Sequence, residues 1–166
     1  MIIFESVSLK NFLSVGNNPV EVLLNKSPTT VIQGRNGQGK SCISDAINFA
    51  LYGKPYRKIN KPDLVNSINS KALEVDIKFT SNGKHYRIVR GIKPNIFEIY
   101  ENGKIINQSS DTRDYQEFLE SNILGMNENA FKQIVLIGST NYIPFMQLDT
   151  SKRKDVIEEL LDIKIF

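Results

Sequence analysis

Gly34-Arg35-Asn36-Gly37-Gln38-Gly39-Lys40-Ser41 fits the spacing G-x-x-x-x-G-K-[ST], and each fixed residue type in that pattern has a use in holding phosphate. Glycines at 34, 37 and 39 let the backbone curl so that its N–H groups turn inward towards anionic oxygens. The long cationic arm of Lys40 can reach the terminal phosphates of a nucleotide. The Ser41 hydroxyl can place an oxygen on Mg²⁺. Arg35, Asn36 and Gln38 fill the variable positions of the loop, and Cys42 follows it. The chemistry implied is ATP binding through Gly34, Arg35, Asn36, Gly37, Gln38, Gly39, Lys40, Ser41 and Cys42, with Ser41 as the one metal ligand.

A loop of this kind is expected between a strand and a helix. Thr29–Gln33, TTVIQ, is β-branched and predicts a short strand running into the loop. After Ser41 the period changes: Ile43, Ala46, Ile47, Ala50 and Leu51 recur at helical spacing, and Gly53 with Pro55 stops the helix. That helix aims the positive end of its dipole at the same anion.

The remaining elements follow from patterning. Residues 2–10 alternate apolar and polar, and 20–24 do so more briefly. Residues 72–80 and 84–92 alternate around Asn82-Gly83, and 96–100 and 104–106 around Asn102-Gly103, two strong hairpin signals. They predict an antiparallel subsheet beside the main one. Tyr115, Phe118, Leu119 and Ile123 mark an amphipathic helix ending at Gly125. Ile134–Ile137 reads as a buried strand of continuous apolar type. Asp149 or Thr150 can cap a last helix with Val156, Ile157, Leu160 and Leu161 on one face. That helix is still in phase at Phe166 and reads as cut. The expected fold class is α/β, a P-loop NTPase with a mixed sheet and an antiparallel β-subdomain. The expected domains are a lobe at 1–148 and, at 149–166, the start of a longer helix.

Efficient hydrolysis needs a further carboxylate, usually after a strand of about four apolar residues, to hold Mg²⁺ and position water. No such strand is visible. LEVD at 73–76 carries a glutamate in its middle, and LLD at 160–162 sits on the last helix. The chain therefore reads as one lobe of a split site, able to bind ATP but not to cleave it efficiently alone.

Composition narrows the class further. Hydrophobic residues are 40% and charged residues 23% of 166, values of a globular chain with a core. No apolar run approaches the roughly 20 residues of a membrane span, and no signal peptide is legible. The expected setting is cytoplasmic, the host cytoplasm for a viral chain, with no membrane partner. One cysteine (Cys42) and one histidine (His85) exclude a disulfide framework and a Cys/His zinc site. The net charge of +3 is compatible with a polyanion partner without requiring one.

These segments in this order resemble the SMC-like DNA-repair ATPases of ABC type. Within them, they are most similar to the branch of large subunits of phage recombination endonucleases related to bacterial SbcC. The resemblance rests on NFLSVG at 11–16, GRNGQGKS at 34–41, LYGKP at 51–55, RGIKPNIFEI at 90–99, FKQIVLIG at 131–138 and YIPFMQL at 142–148. It implies the N-terminal lobe of an ATPase head. It also implies a coiled coil beyond residue 166, a C-terminal lobe of the same polypeptide that completes the ATPase, a homodimer joined through ATP, a nuclease subunit and DNA.

Three positions depart from the family pattern. Cys42 stands where a second Ser or Thr is common, and a thiol is a poor donor to phosphate. The loop that usually offers a glutamine reads Gly138-Ser139-Thr140, which leaves the role to Ser139, to a water or to nothing. Leu13 replaces a common arginine. An ABC transporter ATPase, or another nucleotide-gated P-loop module, is the alternative that the same loop allows.

Lys54, Tyr56, Arg57, Lys58 and Lys61 form a basic loop after the P-loop helix. Arg57, Lys58 and Lys61 could follow a DNA backbone, meet adenine, or be solvated. Lys152, Arg153 and Lys154 fall in the first turn of the last helix, where cations oppose the helix dipole. The Met and Phe residues of YIPFM could form a docking surface, and core packing is their expected role.

Overall fold

A computed structural model describes residues 1–106, 112–137 and 143–161, and the chain divides into two units, residues 1–110 and 111–166. In the first unit, strands β1 (Ile2–Lys10), β2 (Val20–Leu23), β3 (Leu73–Ser81), β4 (Lys84–Ile92), β5 (Ile96–Glu101) and β6 (Lys104–Ile105) form one sheet in the order β2-β1-β3-β4-β5-β6. Helix α1 (Lys40–Tyr52) packs against β1, β3 and β4.

The alternation read along the chain is the reason the sheet has two faces. On β3, Leu73, Val75, Ile77, Phe79 and Ser81 are buried, while the residues between them are less so. Opposite them on β4, the register pairs Ile77 with Ile88 and Phe79 with Tyr86. The rings of Phe79 and Tyr86 stack at 5.6 Å. Helix α1 adds Ala46, Phe49, Ala50 and Leu51 to this core, and Phe12, just after β1, meets the Phe49 ring at 5.8 Å. The other face is laced by cross-strand pairs, including Arg87 with Asp76 at 2.7 Å and Lys78 with Glu21 at 3.7 Å. Both Asn-Gly pairs take positive φ at both residues, as the two-residue hairpin turn requires.

Two expected strands do not form. The sheet was expected to be mixed, yet every pairing among the described residues is antiparallel. Residues 29–33 run without strand pairing, and Val31 and Ile32 are exposed. β-branched residues favour a strand only where a neighbour can take up the backbone groups, and no described segment pairs with this one. The run at 134–137 likewise does not form a strand. Its first residue ends helix α3 (Glu128–Ile134), and Ile134, Val135 and Ile137 are exposed. The helix wins locally because Asn127 caps it, its side chain accepting the Ala130 N–H at 2.9 Å, and Lys132 pairs with Glu128 one turn away.

The second unit is helical. Helix α2 (Thr112–Phe118) passes into a wider turn at Leu119–Leu124, and Gly125 closes it in left-handed conformation. Helix α3 packs on α4 (Thr150–Leu161). Tyr115, Leu119, Ile123, Phe131, Leu148 and Val156 are buried. Met146 of the YIPFM stretch is exposed, against the expected core role, because Phe145–Gln147 forms a single tight turn with no buried residue. The cations at the start of α4 are offset by local acids: Lys152 meets Asp149 at 3.2 Å and Lys154 meets Glu158 at 3.3 Å. No helix among the described residues is long and apolar enough to cross a membrane.

Candidate nucleotide site

The 34–41 loop delivers the chain into the first turn of α1. Gly37 has φ 86° and Gly39 has φ 84°, a left-handed geometry that a side chain at either position would strain. Gly39 is the residue before the helix. No side chain caps this end, and the first turn holds no acid. The helix N-terminus therefore keeps its partial positive charge and presents its backbone donors to an anion.

Within the loop, the Arg35 N–H donates to Gln38 Oε1 at 2.7 Å, a cross-brace that gives the variable glutamine a structural use. Lys40 Nζ donates to the carbonyl oxygens of Gly34 and Arg35 at 2.6 and 2.9 Å, so the ammonium is folded back over the loop it would serve. Ser41 is exposed beside it, and Cys42 is buried.

These residues open on a cleft of about 480 Å³, lined from the loop and helix by Asn36, Gly37, Gly39, Lys40, Ser41 and Cys42. Its other wall is Leu13, Ser14, Arg57 and Ile59. The volume lies within the range of small-molecule sites. Ser41 offers one oxygen to a cation. Mg²⁺ in nucleotide sites takes one or two protein ligands and completes its octahedron with phosphates and water, so this donor set fits that ion.

Of this second wall, the sequence offered Arg57 as one of several readings and Leu13 as a departure, and it offered neither Ser14 nor Ile59. Arg57 was grouped with Lys58 and Lys61, but its guanidinium is turned towards α1. The Arg57 N–H reaches Asp45 Oδ1 at 2.9 Å, and Nε and the terminal nitrogen reach Oδ2 at 2.8 and 2.6 Å. Asp45 is fully buried and Arg57 is 37% exposed at its side chain. The hydrogen bond to Asp45 raises the Arg57 pKa above its ordinary value, with desolvation opposing. Lys58 and Lys61 are exposed. Ser139 lies outside the described residues.

Leu13 and Ser14 are held by a second loop. The Leu13 N–H donates to Leu64 O at 2.7 Å, and Asn66 Nδ2 donates to Leu13 O at 2.8 Å. Asn66 is itself fixed, its N–H on Asn11 O at 2.8 Å and its Oδ1 accepting from the Ile68 and Asn69 N–H groups. Asn69 Nδ2 closes the cluster on Asn11 Oδ1 at 2.6 Å. The asparagines at 11, 66 and 69 lie up to 58 positions apart in the chain. Nothing in their spacing says that they meet.

Comparison with known proteins gives the family of the chain. The AAA domain family matches residues 6–165. Exonuclease subunit 2 of Enterobacteria phage T4 is 45% identical over 157 residues, which are 95% of this chain and 28% of the relative. The DNA double-strand break repair Rad50 ATPase of Thermoplasma volcanium is 30% identical over 167 residues, 97% of this chain and 18% of the relative. The chain thus spans under a third of the length of either relative. Among solved structures, one from work on ATP-driven dimerization and DNA-stimulated activation of SMC ATPases superposes with a TM-score of 0.62 at 26% identity. It covers 95% of this chain and 98% of that one. An SmcHead bound to the C-winged helix domain of ScpA gives 0.65 at 24% identity, over 96% of this chain and 51% of that one, which speaks to the fold alone.

Proposed function

The chain belongs to the AAA domain family and has the fold of the N-terminal lobe of an SMC- and Rad50-like ATPase head, and from that premise we propose that residues 34–42 hold the phosphates of ATP. The observation that carries this is the left-handed glycine loop entering the uncapped, acid-free end of α1 beside Lys40. In this reading the backbone N–H groups of Gly37, Gly39 and Lys40 and the dipole of α1 bind the anion. Lys40 swings from the carbonyls of Gly34 and Arg35 to the terminal phosphates, exchanging neutral acceptors for charged ones. Mg²⁺, when bound, neutralises charge on those phosphates, and Ser41 is the residue of this chain that would hold it.

The finer role is DNA repair or recombination. The lobe is completed by a C-terminal lobe of the same polypeptide, and the heads join through ATP and govern a nuclease subunit on DNA ends. Helix α4 begins the arm that leads into a coiled coil. This is supported by the likeness to a phage exonuclease subunit, to Rad50 ATPases and to SMC ATPases.

The test is calorimetric titration of the full-length protein with Mg-ATP. Lys40→Ala removes charge-assisted hydrogen bonds and no core volume, so it should abolish measurable binding and leave the melting temperature within a few degrees. Wild-type affinity in the variant would refute the phosphate site.

A further inference from the structure

We propose that Ser14 gives the nucleotide's phosphate chain the hydroxyl hydrogen bond that the residue after Ser41 is poorly equipped to give. The inference rests on reading the 34–41 loop as the phosphate site. At position 42 the side chain is a thiol, a weak donor, and it is buried. Its sulfur lies 3.4 Å from Ser14 Oγ, so the two side chains meet at one point of the cleft wall. Ser14 is the exposed member of the pair and the stronger donor. Its hydroxyl also sits against the last glycine of the loop: a Cβ built on Gly39 would lie 3.0 Å from Ser14 Oγ. The hydroxyl therefore stands at the turn where the loop becomes helix, beside the Lys40 and Ser41 positions that the phosphates would approach.

Its placement is enforced from behind. Leu13 holds φ 51°, a left-handed conformation that is costly for a residue with a branched side chain. Both polar groups of its backbone are pinned, the N–H by Leu64 O and the carbonyl by Asn66 Nδ2. That pinning turns the next residue, Ser14, to the cleft. The hydroxyl stands on a loop beside the helix, and the Asn11–Asn66–Asn69 cluster is the mount that holds it there.

The experiment is Mg-ATP affinity of the full-length protein, by calorimetry, in four variants beside wild type. Ser14→Ala should weaken binding about tenfold or more, the size of a hydrogen bond to a charged acceptor. Adding Cys42→Ser to Ser14→Ala should recover most of that loss, because a hydroxyl is then supplied from the helix side. Adding Cys42→Ala instead should recover none, which separates a donor from a packing effect. Lys40→Ala is the reference for the site itself. Unchanged affinity in Ser14→Ala, or a loss that Cys42→Ser fails to restore in a variant of wild-type melting temperature, overturns the role of Ser14. If Lys40→Ala also binds as wild type does, the phosphate reading falls with it. If Lys40→Ala loses binding and Ser14→Ala does not, only the present inference falls.

Discussion

Asp45 and Arg57 show how one ion pair can serve both structure and site. Asp45 is fully buried on α1, and its carboxylate is answered by the Arg57 guanidinium and backbone N–H. Removing Arg57 leaves a buried carboxylate with little to compensate it. Such losses run to about 3–5 kcal/mol, and the partial exposure of Arg57 places this one near the lower end, at about 3 kcal/mol. Arg57→Ala should lower chemical-denaturation stability by that amount. Asp45→Asn with Arg57→Ala should regain part of it, because the neutral amide carries no charge to strand. A drop under 1 kcal/mol in Arg57→Ala would mean that water already solvates Asp45. Arg57 also lines the cleft, so this variant should weaken ATP binding as well, which separates it from its sequence neighbours.

At the scale of elements, the loop after α1 divides by direction. Arg57 and Ile59 face the cleft, while Lys58 and Lys61 are exposed. The DNA reading of the basic cluster therefore narrows to two lysines. Each phosphate neutralised on duplex DNA adds about −0.9 to the slope of log K against log salt. Lys58→Glu with Lys61→Glu, in the assembled protein with ATP, should reduce the slope's magnitude by roughly two units and leave ATP affinity intact. An unchanged slope would return both lysines to solvated surface. The hairpins carry a different lesson. The β3–β4 and β4–β5 registers put aliphatic and aromatic residues on the α1 side and ion pairs on the other, so the sheet is both a base for α1 and a polar surface.

For the molecule as a whole, the described residues contain no apolar strand that ends in a carboxylate beside the cleft. Asp76, in the LEVD segment, lies within β3 and pairs with Arg87. Asp45, the acid nearest the P-loop helix's start, is occupied by Arg57. The 166-residue chain should therefore release phosphate from ATP no faster than its Lys40→Ala form. Release well above that control, in protein free of contaminating ATPase, would show that a catalytic carboxylate lies within this sequence. The exposed Val31 and Ile32 of 29–33 and the exposed Ile134, Val135 and Ile137 belong to the two runs that β-branching and continuous apolar character read as strands.

What the sequence determined by itself is what short-range physics decides. The P-loop was legible because three glycines, a lysine and a serine at fixed spacing allow one curled backbone and one charge arrangement. The helix after it was legible from its period and from Gly53, whose N–H donates to Phe49 O and ends it. Asn82-Gly83 and Asn102-Gly103 specified their turns, and alternation specified which face of β3 and β4 is buried. Tertiary structure alone decided the rest, because those outcomes depend on groups far apart in the chain. A β-branched run becomes a strand only if another segment receives its backbone bonds, and neither 29–33 nor 134–137 finds such a partner among the described residues. Ser14 meets Cys42 across 28 positions, and Asn66 reaches Leu13 across 53. No local pattern encodes those meetings; the fold of β1, α1 and the 61–70 loop onto one another brings them about.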